Sequence, residues 1–161
     1  IDYPVVQTVD NDYYLTHSFE KEESDHGAIY MDYRNIQDSQ KMVHTIIYGH
    51  YMKDGTMFKS LNNYKTEDYA KQNPYIEFDT LEGPTKWQIF SVYVIRAKNS
   101  TLQESFSNEE EYAQYLTMIT EKSMENMGVE VTKEDQLLTL VTCSYELKDS
   151  RLVIHAKKIE N

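Results

Sequence analysis

The sequence predicts a mainly β fold, a β-barrel or tightly curled sheet with helices confined to its connections. Three observations carry this expectation. Short runs of β-branched and aromatic residues recur along the whole chain, most of them bounded by Gly, Pro, Asn or Asp. Sustained helical periodicity occurs once, between Ser107 and Gly128. The 14 tyrosines supply most of the aromatic mass, and tyrosine favours strands and half-buried surfaces where one end of the ring stays wet.

The opening stretch is polar and irregular up to Tyr13-Tyr14-Leu15, a short strand candidate. Gly27 leads into Ala28-Ile29-Tyr30-Met31, a second. Thr45-Ile46-Ile47-Tyr48 is β-branched and aromatic, a third strand that ends at Gly49-His50. Asp54-Gly55 marks a turn, after which Met57, Leu61 and Tyr64 recur at helical spacing. Thr66 caps a second short helix that ends before Pro74. Tyr75–Thr80 and Lys86–Arg96 read as strands joined by a turn at Glu82-Gly83-Pro84. The one long helix starts at a capping box of Ser107 and Glu110. It aligns Tyr112, Leu116 and Ile119 on one face and stops at Gly128. Leu137–Cys143 and Arg151–Lys157 close the chain as strands, for roughly seven or eight in all.

Length and charge narrow the function. A chain of 161 residues makes one domain with a full hydrophobic core the expectation. Against 27 acidic residues stand 16 lysines and arginines, a net charge of -11, so nucleic acid is an unsuitable partner. Acidic runs near 20–25 and 104–111 read as solvated surface. The single cysteine, Cys143, excludes an intramolecular disulfide and a tetrathiolate metal site. No serine-nucleophile elbow, zinc-binding helix or phosphate-cradling glycine loop is present. Asp10-Asn11-Asp12 opens like a calcium loop but lacks the ligands and glycine that should follow. Neither metal nor cofactor is expected.

Chemistry concentrates near the C-terminus. Alternation puts Leu137, Thr139, Val141 and Cys143 on one face of a strand, and Arg151 opens the next strand after a connection over 144–150. In an antiparallel pair Cys143 and Arg151 share one open end, where side chains sit about 5–8 Å apart. A guanidinium there would stabilise a thiolate or a developing oxyanion. The competing reading makes Cys143 a small buried hydrophobe ending a core strand. A thiol nucleophile also needs an acid–base partner. Of the five histidines, His17, His26, His44, His50 and His155, only His50 stands just past a buried-looking strand, after a glycine that would let the backbone turn and expose the ring.

These residues resemble a known family. Thr139-Leu140-Val141-Thr142-Cys143 followed by Arg151-Leu152-Val153-Ile154 is similar to the T-L-x-T-C…R signature of sortases. Thr45 to His50 resembles the strand that delivers their catalytic histidine. The blocks Asp10–His17, Gly27–Arg34 and Met52–Phe58, with the long helix between late strands, resemble class B sortases in order and in kind.

The resemblance implies an eight-stranded sortase-type β-barrel with peripheral helices, including one long helix between late strands. It implies a single catalytic domain over 1–161, whose N-terminal anchor or export signal lies outside this sequence, held at the extracellular face of the membrane. The implied activity is cleavage of a C-terminal sorting motif of the N-P-x-T-x kind in secreted proteins. Cys143 would form a thioester, His50 would act as acid and base, and Arg151 would orient the substrate or stabilise the oxyanion. An amine of a cell-wall precursor or a pilin would resolve the acyl-enzyme. Asn11, Leu15 and Leu102 fall at positions resembling the family's substrate-groove lining. Two rival readings stand beside this one: a non-catalytic cell-surface binding module, and a cysteine endopeptidase that uses water as the acceptor.

Overall fold

Along Leu137-Leu138-Thr139-Leu140-Val141-Thr142 every side chain is buried, so this strand has a packed core on each face. In a computed structural model, which describes residues 1–35, 43–99, 102–144 and 149–159 (143 and 144 by their backbone), it lies at the centre of a seven-stranded sheet. The strands are β1 (Val5–Val6), β2 (Ile29–Met31), β3 (His44–Gly49), β4 (Tyr75–Thr80), β5 (Gly83–Arg96), β6 (Leu137–Ser144) and β7 (Ser150–Ile159). Their spatial order is β1-β2-β3-β6-β7-β5-β4. β3 and β6 run parallel, whereas β6–β7 and β7–β5 are antiparallel. Helices α1 (Glu67–Gln72) and α2 (Glu109–Glu121) sit in the connections. No helix among the described residues is long and apolar enough to cross a membrane.

One core joins Leu138, Leu140, Leu152 and Ile154 to Phe58, Leu61 and Trp87. The other packs Leu137, Val141 and Val153 against Tyr112, Tyr115, Leu116 and Ile119 of α2. Each fully buried aliphatic side chain contributes about 1.5–3 kcal/mol relative to exposure. β5 serves both cores by alternation, and a register shift between Ile89 and Ser91 exchanges which positions face which core. Trp87 and Ile89 before the bulge, and Val92 after it, face the first core, while Phe90 and Tyr93 face the second.

Four expectations are corrected. The sheet has seven strands among the described residues, not eight. Tyr13–Leu15 is a 3-10 turn, because Asp10 Oδ1 accepts from the Asp12 and Tyr13 backbone N–H groups and curls the chain. The β4–β5 turn is Leu81-Glu82, and Gly83 already pairs with Thr80. The long helix is capped by Asn108, whose Oδ1 accepts from Glu111 N–H at 2.9 Å, while Ser107 N–H donates to the Glu111 carboxylate at 2.7 Å. It ends at Glu121 rather than Gly128, because β5 captures the chain that follows: Met124 N–H donates to Val92 O at 2.9 Å.

Beneath α2 runs a buried polar chain whose proton order follows from its last acceptor. His44 Nδ1 meets the Gln103 carbonyl, which only accepts, so Nδ1 carries the proton. His44 Nε2 must then accept, and Thr139 Oγ1 donates to it at 2.6 Å. Thr139 Oγ1 in turn accepts from His155 Nδ1 at 2.6 Å, and Tyr93 OH donates to His155 Nε2 at 2.9 Å. Both rings are neutral and fully enclosed. Burial pulls His44 from 6.5 down to about 4 and His155 well below its ordinary value.

A base whose folded pKa is depressed binds protons more readily when unfolded. Stability is therefore whole above pH 6.5 and falls as pH drops toward 4. For His44 alone the loss is about 3 kcal/mol. The midpoint of urea unfolding should hold level above that window and decline through it, with a shallower decline in His44→Asn. A level midpoint from 6.5 to 4 would contradict the assignment.

Candidate active site

His50 stands directly after β3, and the chain reverses immediately beyond it. Phe58 N–H donates to His50 O at 2.8 Å, and Tyr51 bridges Met57. Gly49 keeps extended strand backbone and makes no turn. Glycine is needed there for space, since a Cβ would lie 2.5 Å from Ile29 Cδ1 and 2.7 Å from the Phe58 ring. The half-buried imidazole donates from Nε2 to the Leu15 carbonyl at 2.7 Å. A carbonyl only accepts, so the proton of a neutral ring sits on Nε2 and Nδ1 is the nitrogen that can exchange one. Gly27, at φ +60°, flanks the ring: a Cβ there would lie 3.0 Å from His50 Cδ2 and 2.4 Å from Tyr14 O.

Strand register brings the three sequence-predicted residues into one row. In the parallel β3–β6 pair Gly49 faces Thr142, so the next positions are His50 and Cys143. In the antiparallel β6–β7 pair Cys143 and Arg151 are direct Cα partners. Neighbouring strands lie about 4.8 Å apart, so the row is compact. The connection over 144–150 is described only at its ends, and residues 145–148 lie outside the described residues. Asp149 enters β7 at φ 57°, a conformation an aspartate tolerates better than most residues, and its carbonyl accepts from Ala97 N–H at 2.7 Å. Arg151 is half-buried and donates from one guanidinium nitrogen to Ser150 O at 3.2 Å.

The other arginines are placed differently. Arg96 is exposed. Arg34 grips the fully buried Asp32 carboxylate through Nε and a terminal nitrogen, at 2.9 and 2.8 Å. It also reaches Glu104 at 3.0 Å and the Leu102 carbonyl at 3.4 Å. Burial alone would raise the Asp32 pKa, but donation from Arg34 and from the Tyr48 hydroxyl outweighs it and holds the group below its ordinary value. This knot fastens the end of β2 to the segment entering α2.

The three groove candidates occupy different settings. Leu15 is partly exposed and lies at the site through its carbonyl. Asn11 accepts from Tyr33 N–H at 3.0 Å through its side chain and from Tyr30 OH at 3.1 Å through its carbonyl, a bracing role beside β2. Leu102 is half-buried against the core that holds Ile46 and Val141. Sequence reasoning missed the Leu15 carbonyl and Gly27 as partners of His50; a backbone acceptor leaves no mark in residue types, although Gly27 was visible as a glycine before a strand. Among the described residues no three His, Cys, Asp or Glu side chains gather as a metal site.

Comparison with known proteins shows the family. The sortase domain model matches residues 1–159. The chain is 37% identical over 163 residues to sortase B of Staphylococcus aureus and 34% identical over 161 residues to sortase B of Listeria monocytogenes, with 99% of this chain aligned in each case. It spans 66% and 65% of the length of those two relatives. Among solved structures, sortase B of Clostridium perfringens superposes with a TM-score of 0.95 at 37% identity, covering 99% of this chain and 88% of that one. A Staphylococcus aureus sortase B–substrate complex superposes with a TM-score of 0.90 at 37% identity, covering 98% and 74%. The fold, the order of the motifs and these likenesses together place the chain in the sortase family.

Proposed function

We propose that the chain is the catalytic domain of a cysteine transpeptidase that cleaves a C-terminal sorting motif of the N-P-x-T-x kind. The observation that carries this reading is the register that sets His50, just past the end of β3, next to Cys143 on β6 and Arg151 on β7. A binding module has no use for a thiol, an imidazole and a guanidinium placed together.

In acylation the Cys143 sulfur attacks the threonine carbonyl carbon, and the C–N bond to the following residue breaks. The thiol proton passes through His50 to the departing amine, which leaves a thioester. In transfer an incoming amine attacks the thioester, the C–S bond breaks, and His50 moves the amine's proton back to sulfur. Arg151 holds the carbonyl oxygen as negative charge develops on it. Leu15 fixes which nitrogen of His50 does this work. The acceptor is an amine of a cell-wall precursor or a pilin, and the enzyme works at the extracellular face of the membrane.

His50→Ala should lower turnover at least about a hundredfold, the usual worth of a positioned acid–base group, with peptide binding little changed. A larger loss on replacing His17, His26, His44 or His155 would reassign the base. The reading as a whole is tested by mass spectrometry of products after incubation with sorting-motif peptides and candidate amines. Cleavage after threonine with amine-linked product supports it; hydrolysis alone with every amine would make the chain an endopeptidase, and intact peptides throughout would return it to the binding-module reading.

A further inference from the structure

His50 is held between two loops that belong to different parts of the chain. One, residues 14–27, delivers the Leu15 carbonyl to Nε2 and sets Gly27 against the ring. It is closed on itself by the His17–Glu23 bridge and by Ser24 N–H to Thr16 O at 2.9 Å, and Ala28 N–H ties its end to Tyr14 O at 2.9 Å. The other, residues 51–58, takes the His50 carbonyl through Phe58 N–H. A side-chain link joins the two: His26 Nε2 donates to Asp54 Oδ2 at 2.7 Å. His26 immediately precedes Gly27, so the link fastens the loop next to the residue that touches the ring.

Asp54 is a prepared acceptor. Its Oδ1 takes the Thr56 hydroxyl at 2.7 Å and Thr56 N–H at 3.0 Å, which fixes the carboxylate plane and leaves Oδ2 aimed at His26. Thr56 first, and His26 after it, hold this carboxyl well below the usual range. The pair is open to solvent, with side chains 45% and 49% exposed. Exposed pairs add little to global stability, so its effect falls on local geometry.

We infer that His26 and Asp54 form a positioning pair that clamps the two loops around His50 and so keeps its Nε2 on the Leu15 carbonyl, which leaves Nδ1 as the nitrogen that exchanges a proton. The turnover consequence rests on the transpeptidase reading above; the placement of the ring does not. Misplacing a reacting group by about 1 Å can cost up to about a hundredfold in rate, and loosening one of several restraints on the ring should cost about a tenth of that, roughly tenfold.

The test compares the parent chain with His26→Ala, His26→Gln and the double variant His26→Ala/Asp54→Asn. For each, kcat and KM on a sorting-motif peptide, thermal melting and the nitrogen-15 imidazole signals of His50 are measured. The expected result is a roughly tenfold fall in kcat for His26→Ala at unchanged KM and melting temperature, with displaced His50 ring signals. His26→Gln keeps a donor and should recover most of the loss, and the double variant should lose no more than His26→Ala. His50 signals and kcat that match the parent in His26→Ala would overturn the inference. So would equal losses in His26→Ala and His26→Gln accompanied by a lower melting temperature. If the parent cleaves no peptide yet His26→Ala displaces the His50 signals, the transpeptidase reading falls and the clamp stands.

Discussion

Cys143→Ala should abolish peptide cleavage while leaving the melting temperature within about 2 °C of the parent. The strand that carries Cys143 is held on both sides, by a parallel ladder to β3 and an antiparallel ladder to β7. Neither ladder uses the sulfur, because strand pairing is made by backbone N–H and C=O groups. Removing one sulfur at the strand's end therefore leaves the sheet in place. The chemistry has no such reserve: this is the only cysteine in the sequence, so no second thiol can form the thioester. Turnover and melting measured on one sample separate the two effects. Cleavage at a sizeable fraction of the parent rate would remove Cys143 as the nucleophile.

Arg151→Lys should lose about 10²–10³ in turnover although net charge is unchanged. Arginine presents a planar fork of donors, whereas lysine presents a compact, strongly hydrated point charge. One nitrogen of the Arg151 fork is already engaged by the Ser150 carbonyl, which restrains the guanidinium, and Arg151 is the cross-strand Cα partner of Cys143. An ammonium cannot hold that carbonyl and present a second donor in a fixed direction. The competing expectation is a strand residue whose charge alone matters, for which lysine would be nearly silent. Single-turnover acylation of Arg151→Lys and Arg151→Ala decides. Near-parent rates in the lysine variant remove the bidentate role, and near-parent rates in both remove Arg151 from the site.

The adjacency of Cys143 and Arg151 was legible in the sequence, because alternation fixes which residues share a face and a short connection fixes an antiparallel neighbour. The place of His50 beside them was not legible from residues 45–50. It depends on β3 inserting between β2 and β6 with a parallel pairing to β6, a long-range choice that local pattern does not encode; only the likeness to sortases anticipated it. Local capping chemistry misled twice. Asp10 turned a tyrosine-rich run into a 3-10 turn, and Asn108 displaced Ser107 as the helix cap. The long helix could not be ended correctly from its own residues, since what ends it is the capture of Met124 by β5. Sequence reasoning singled out His50 and set His44 and His155 aside, and the chain through Thr139 shows their part: each ring's hydrogen-bonding capacity is consumed inside the core.

The central claim is that Cys143 carries the acyl group between the two half-reactions. Intact-protein mass spectrometry after brief incubation with a sorting-motif peptide, quenched in acid, tests it directly. The account predicts a mass increase equal to the peptide fragment ending in threonine, less water, located on Cys143 by digestion and discharged by added amine. A fragment attached to any other residue, or rapid cleavage under single-turnover conditions with no covalent intermediate, would contradict it.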